Sequence, residues 1–195
     1  MILSEFYRDS TDNGYGAQSP VRFSVLRGLS VESILDVGSG PCSLLEWLKC
    51  EGYTGEYESV DIREDALKLC SCVTYTSIPQ KTYDLVCLFG TKGFNVGGDK
   101  EVNRQEFELL LKQSDSIAQK YLVFSVIKKE NDSNRIVGYS VDEVLKICKT
   151  LESNIILIFS DSEPTEHIFV CVKNKQHSWI QSDLVYDIHH PTLNR

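Results

Sequence analysis

The sequence has no long apolar run and no basic start. None of its windows reaches the roughly 18 apolar residues that a membrane-spanning helix needs. Its opening stretch, MILSEFYRDSTDNG, lacks the basic cluster and the apolar segment of a secretory signal. We therefore expect neither export nor membrane insertion, and we predict a cytoplasmic location.

Positive charge is also scarce. The 20 lysines and arginines are outnumbered by 28 aspartates and glutamates, which gives a formal net charge of -8 and a sequence pI near 5.0. Duplex DNA and anionic membranes are bound largely through clustered positive charge. The composition therefore argues against nucleic acid and against a membrane surface as the main partner.

The cysteines show no pattern of paired positions. There are seven, an odd number, and they are scattered through apolar segments. This favours reduced thiols in a cytosolic chain over a disulfide framework. Cys70 and Cys72 are separated by one residue, and no second cysteine pair follows at the spacing of metal ligands. We therefore predict structural cysteines and no metal site.

The rest of the composition is that of one packed domain. Hydrophobic residues make up 42% of the 195 positions and charged residues 25%, so a folded core is expected. We predict a single domain with an N-terminal arm or lid over residues 1–18, a core over 19–173 and a C-terminal tail over 174–195.

Apolar runs alternate with amphipathic segments along that core. Five runs predict strands separated by helices, which implies parallel βαβ units. The last two runs, NIILIFS and HIFVCVK, are joined by six residues and must be antiparallel, because a parallel crossover needs a dozen or more. We predict an α/β, doubly wound, mostly parallel seven-stranded sheet that ends in an antiparallel hairpin.

The stretch SILDVGSGPC indicates where a ligand would bind. A strand ends at Asp36 and Val37, and Gly38 and Gly40 follow at the carboxyl edge of the sheet, where ligands of such folds bind. Asp61 ends the second strand 21 positions after Gly40, a separation that suits a carboxylate accepting from ribose hydroxyls. Because both acids precede helices, N-capping is the alternative interpretation.

The charge of Asp36 favours one class of ligand. A dinucleotide loop needs a third glycine, which would fall at Ser43, and its pyrophosphate would face Asp36. Two like charges about 5 Å apart at an effective dielectric near 20 repel by roughly 3 kcal/mol. S-adenosylmethionine carries a sulfonium and an ammonium and no phosphate, so it suits this loop better. An NAD-dependent oxidoreductase is the less favoured reading.

Three segments then resemble a known family. ILDVGSGPCSLLEWL, YESVDI and YDLVCLFG are similar to the first, second and fourth motifs of class I S-adenosylmethionine-dependent methyltransferases. The resemblance covers roughly residues 19–173 and implies their Rossmann-like fold and methyl transfer. YGAQSPVRFSVL and GFN are similar to small bacterial and phage methyltransferases of unassigned substrate.

The resemblance also assigns cofactor contacts. It implies that Gly38, Ser39 and Gly40 hold the methionine end, that Asp36 holds the amino group and that Asp61 holds the ribose. Arg22 is read either as a partner of the methionine carboxylate or as a solvated helix residue. The remaining predicted cofactor contacts are Ile62, packed on the adenine, with Ser77, Ile78 and Phe89.

Two positions depart from the family pattern. Cys42 stands where the family usually has glycine, and we expect it on the incoming helix, where a small side chain fits. Thr76 and Ser77 stand where the third motif usually brings an aspartate to the adenine. These departures keep open a non-catalytic interaction protein that retains the fold and the cofactor.

The acceptor would approach over the loops at the same edge of the sheet. Our candidates for catalysis are Asn95, His167 and Tyr15, with a solvated turn histidine as the alternative for His167. The fourth strand is followed by LFGTKGFN, which has neither an N-P-P-Y-type tetrapeptide nor a Pro-Cys pair. This argues against methylation of DNA bases and favours a small molecule or a peptide group. Other residues in these loops are Lys92, Phe94, Asp99, Lys128, Tyr139 and Glu166.

Overall fold

The computed structural model describes residues 20–91, 93, 95, 98–153, 155–159, 164–173, 184–187 and 193–194. The predictions that concern the 1–18 arm, Tyr15, Lys92 and Phe94 lie outside these residues. No helix within these ranges combines the length and the apolar character that a bilayer crossing requires.

The described strands form one sheet in the order β3-β2-β1-β4-β5-β7-β6-β8-β9. Strands β1 to β5 pair in parallel, and β7 lies antiparallel between β5 and β6. This confirms the predicted mostly parallel sheet with its closing hairpin. The first seven strands are β1 Ser33–Val37, β2 Glu56–Val60, β3 Val73–Tyr75, β4 Tyr83–Leu88, β5 Ala118–Ile127, β6 Ile155–Phe159 and β7 Glu166–Val172.

Two short strands extend the sheet beyond the predicted hairpin. β8, Leu184–Asp187, pairs antiparallel with β6, and β9, Leu193–Asn194, pairs with β8. Part of the segment expected to be a tail therefore belongs to the sheet. The sequence expectation missed them because an edge strand gains its stability from a partner that is remote in sequence.

The two helices α4 and α5 begin at capping residues. Asp99 accepts hydrogen bonds from two backbone amides of the long helix α4, and Ser140 and Glu143 form the predicted capping box of α5. The helices are α1 Pro20–Phe23, which continues as a 3-10 turn over Ser24–Leu26, α2 Ser43–Cys50, α3 Glu64–Leu67, α4 Lys100–Ile117 and α5 Val141–Cys148.

A hydrophobic core covers each face of the sheet. Successive residues of a strand point to opposite faces, so Leu35 packs with α4 and α5 whereas Ile34 packs with α1 and α2. With both faces covered, the carboxyl edge of β1, β2 and β4 is where loops can present polar groups. This edge carries the loop that the sequence singled out.

Candidate active site

The glycine loop leaves β1 in a conformation that its sequence makes accessible. The amides of Gly38 and Ser39 both donate to the carbonyl oxygen of Val60, at 2.7 and 3.1 Å, which ties the ends of β1 and β2 together. Gly38 has φ +75 and Gly40 has φ +51, the left-handed region where residues with a Cβ are strained. The backbone therefore folds back above the strand ends.

Gly38 is also fixed by a close neighbour. A Cβ at this position would collide with Oγ1 of Thr91, whose hydroxyl donates to the carbonyl of Val37 at 2.9 Å. Thr91 lies three residues after the end of β4, and sequence reasoning did not single it out. The signal that could have found it is its place one residue beyond LFG, at the same edge of the sheet.

Asp61 connects the glycine loop after β1 with the segment that follows β2. Its Oδ2 accepts from the Gly40 amide at 2.8 Å, and its Oδ1 accepts from the Arg63 amide at 2.9 Å. The N-cap of α3 is Arg63, and no side chain caps that helix, so Asp61 does not occupy the N-cap position. Its carboxylate instead holds the glycine loop against the end of β2.

Asp36 is a buried acid on the same edge. Its side chain is 3% exposed, and its Oδ2 accepts from the hydroxyl of Tyr57 at 2.5 Å. Burial raises the pKa of Asp36 to about 7, the Tyr57 hydrogen bond opposes this rise, and the charge of Asp61 adds to it. Asp36 therefore changes charge near neutral pH, and a cation beside it would favour the carboxylate.

Tyr57 is a partner of Asp36 that sequence reasoning missed. It lies in β2, and β2 pairs with β1 so that Tyr57 is opposite Ile34 and Ser59 is opposite Asp36. Residues two apart on one strand share a face, so the Tyr57 ring reaches the acid diagonally. The available signal was a single tyrosine in a strand predicted to be buried.

The loop also presents an unpaired polar atom. Ser39 is 6% exposed, and among the described residues its buried Oγ has no hydrogen-bond partner. A buried hydroxyl without a partner is costly, so this atom is suited to a ligand contact.

The predicted adenine side is open and partly apolar. Ile62 is 58% exposed directly after Asp61, Ser77 is exposed, and Ile78 packs against the core. An exposed apolar side chain at a strand end can support a planar ring. Beside it lies a cleft of about 460 Å³ lined by Glu64, Leu67, Lys68, Thr74, Tyr75, Thr76 and Ser77.

Arg22 and Glu166 form a largely buried ion pair between α1 and β7. Arg22 Nη2 lies 3.0 Å from Glu166 Oε1, and the two side chains are 13% and 8% exposed. The guanidinium is thus engaged by a carboxylate of β7. Among the described residues, Arg22 Nε and Glu166 Oε2 have no partner. Phe89 is buried beside them, with its ring 5.3 Å from that of Phe23.

The candidates Asn95 and His167 occupy different environments. Asn95 is 7% exposed, its Nδ2 donates to the Asn134 carbonyl at 2.9 Å and its Oδ1 accepts from Asn103 Nδ2 at 3.0 Å. Its amide thus connects Asn95 to α4 and to Asn134. His167 is half-buried in β7, and burial, with the charge of Lys128, lowers its pKa. As the neighbour of Glu166 in a strand, it points to the opposite face.

The cysteines differ from the expectation of reduced thiols. Cys42 is disulfide-bonded to Cys70, so the expectation was wrong for this pair. Cys42 is the N-cap of α2 rather than a helical residue, and among the described residues it is the one non-glycine with a positive φ, +60. Spacing could not show this, because the two positions are 28 residues apart and meet through packing.

Comparison with known proteins identifies this architecture. No family model matches the sequence, and no curated protein does. Solved structures do match. The magnesium protoporphyrin IX methyltransferase of Synechocystis PCC 6803, solved with bound S-adenosylmethionine, has TM-score 0.53 and 16% identity and covers 72% of this chain and 69% of its own.

Two further structures extend the comparison. The plantazolicin methyltransferase BpumL, solved with a triazolic desmethylPZN analog and S-adenosylhomocysteine, has TM-score 0.62 and 11% identity and covers 88% and 95%. An O-methyltransferase family protein of Burkholderia thailandensis has TM-score 0.60 and 10% identity and covers 78% and 55%. The chain therefore has the Rossmann-like fold of S-adenosylmethionine-dependent methyltransferases.

Proposed function

We propose that this chain is an S-adenosylmethionine-dependent methyltransferase acting on a small molecule or a peptide group. One observation carries the proposal: Asp36, Gly38, Gly40 and Asp61 come together at the ends of two adjacent parallel strands. A cytoplasmic location belongs to the same proposal: five described cysteines are free thiols, against the one Cys42–Cys70 disulfide.

The residues present fit this cofactor. The Asp36 carboxylate complements a cation and disfavours a pyrophosphate, and the orphaned Ser39 Oγ offers a hydrogen bond. Asp36 is proposed to face the amino group and Asp61 the ribose hydroxyls, with Ile62 under the adenine. When bound, S-adenosylmethionine supplies a methyl group made electrophilic by its positively charged sulfur.

The remaining chemistry falls to residues on the acceptor side. An acceptor that attacks a methyl carbon must lose a proton, and a nearby base can take it. Glu166 has a buried carboxylate oxygen without a partner, and Arg22 fixes the other oxygen at 3.0 Å. We propose Glu166 as the proton acceptor, alongside the sequence candidates Asn95, His167 and Tyr15.

A non-catalytic interaction protein is the second candidate function. The observation that favours it is the Asn95 amide, whose Nδ2 donates to Asn134 and whose Oδ1 accepts from Asn103, both within the protein. An NAD-dependent oxidoreductase is disfavoured by the position of Asp36 below the loop.

Calorimetry tests the cofactor assignment. We expect S-adenosylmethionine and S-adenosylhomocysteine to bind with one site per chain and NAD to give no heat of binding. Tight NAD binding with no response to S-adenosylhomocysteine would overturn the proposal. Incubation with methyl-labelled S-adenosylmethionine and a deproteinised metabolite extract then tests turnover. Label appearing in small molecules or peptides supports the enzyme, and binding without any transferred label supports the non-catalytic reading.

A further inference from the structure

Three cysteines converge behind the glycine loop. Sγ atoms of Cys42, Cys70 and Cys72 all lie within 4.8 Å of one another, and the sulfurs of Cys42 and Cys72 are 3.9 Å apart. Cys42 comes from the start of α2, whereas the other two flank Ser71 between α3 and β3. The sequence spacing predicted no metal site because it cannot show that the fold supplies a third thiol.

We propose that Cys42, Cys70 and Cys72 form a binding site for a thiophilic cation such as Zn²⁺ once the Cys42–Cys70 disulfide is reduced. Three thiolates are a sufficient protein contribution to a tetrahedral zinc ion, with solvent as the fourth ligand. With Zn–S bonds of about 2.3 Å, neighbouring sulfurs of such a site lie about 3.8 Å apart. The Cys42–Cys72 pair already has this separation.

The cluster is partly buried, and burial raises the pKa of the Cys72 thiol. Cys42 is 2% exposed and the other two cysteines are half-buried, so one side of the cluster remains accessible. The Cys70 sulfur lies 3.5 Å from the Gly40 carbonyl oxygen, and the Cys72 thiol donates to Ser59 Oγ at 3.5 Å.

Positive charge stands next to the cluster. The ammonium of Lys49 donates to the hydroxyl of Ser71 at 3.0 Å, directly between the two cysteines of the pair. The same ammonium also pairs with Glu46 Oε1 at 2.9 Å, so it is shared between that carboxylate and the net charge of -1 that three thiolates around a divalent cation carry.

The backbone gives a reason for a thiol at position 42. A left-handed φ is strained for a residue with a side chain, and glycine would avoid that strain. The chain nevertheless has cysteine there, with φ +60 and its sulfur directed into the cluster. A structural role of the thiol offsets the strain.

Opening the site is a balanced redox step. A dithiol reductant breaks the S–S bond, transfers two electrons and two protons to Cys42 and Cys70, and leaves as its own disulfide. The cation then displaces the protons of the three thiols. The sulfurs of Cys42 and Cys70 therefore either form the disulfide or bind the metal.

The test uses the full chain reduced with dithiothreitol and desalted without oxygen. We expect one Zn²⁺ per chain by elemental analysis, a Cd²⁺–thiolate absorption band for three sulfurs, and loss of both on reoxidation. Cys72→Ser and Cys42→Gly should each weaken Zn²⁺ binding at least 100-fold in a chelator competition. Cys42→Gly suits the left-handed backbone, so its fold should be retained, as a melting curve will show.

Cys50→Ser is the matched control, since Cys50 is an exposed free thiol at the end of α2, outside the cluster. It should bind Zn²⁺ as the unmodified chain does. Reduced protein that takes up no stoichiometric Zn²⁺ would overturn the proposal. So would equal affinities for Cys42→Gly, Cys72→Ser and the control. None of these readouts depends on S-adenosylmethionine, so the proposed methyltransferase function and the metal site can fail independently.

Discussion

Raising the pH from 6 to 7 is expected to tighten binding of S-adenosylmethionine about fivefold, because the cation needs Asp36 in its ionised form. With a pKa of about 7, Asp36 is about one tenth ionised at pH 6 and about one half ionised at pH 7. The apparent dissociation constant varies inversely with the competent fraction. The amino group of the ligand stays protonated in this window, since α-amino groups titrate near 7.7–8.0.

Calorimetry at several pH values, in buffers of different ionisation enthalpy, measures this linkage. At pH 6, binding should release close to one proton, because the cation stabilises the carboxylate. Tyr57→Phe removes the hydrogen bond that favours the ionised form, so the profile should move to higher pH. Asp36→Asn should weaken binding and give a flat profile.

Glu108→Gln on α4 is the charge-matched control, because it removes one negative charge away from the loop. Its profile should follow that of the unmodified chain. An affinity that does not change between pH 6 and pH 7, or that improves as the pH falls, would refute the role of Asp36.

The same acid predicts how the free energy of unfolding depends on pH. The pKa of Asp36 is raised on folding from 3.8 to about 7, so the folded chain holds a proton that the unfolded chain has released. Its contribution to stability is fully present below about pH 4 and is lost as the pH rises through about 7. Measured by urea unfolding, the free energy of unfolding of Asp36→Asn should therefore fall less over this pH range than that of the unmodified chain.

Three further substitutions test the loop and the acceptor side. Asp61→Ala removes the acceptor of the Gly40 amide, so affinity for S-adenosylmethionine should fall about 30-fold to 1000-fold and the free energy of unfolding by about 1 kcal/mol. A loss of stability with unchanged affinity would argue that Asp61 is purely structural. Gly38→Val should abolish binding through its positive φ and the clash with Thr91, and normal calorimetric binding would mean that the loop is misassigned. Glu166→Gln should leave affinity within about twofold and lower kcat at least 100-fold, and an unchanged kcat would exclude it as the proton acceptor.

The amino-acid sequence determined the mostly parallel core of the sheet and the position of the glycine loop. Apolar runs separated by amphipathic segments can bury both faces only in a helix-covered parallel sheet, and the short connection between the last two strands requires them to be antiparallel. Asp36 and Asp61 each end one of two adjacent parallel strands. Such ends meet at one edge, so their proximity followed from order along the chain. The capping box at Ser140 depended on four consecutive positions and was equally readable.

Only the tertiary structure decided which side chains contact Asp36 and Gly38 and which remote residues pair. Tyr57 reaches Asp36 because of the β1–β2 register, and Thr91 closes on Gly38 because β4 lies beside β1. Arg22 meets Glu166 across 144 positions, a separation over which no local pattern carries information. The same holds for the three sulfurs: a disulfide or a metal site depends on distances between atoms of packed elements, and one-dimensional spacing does not contain those distances.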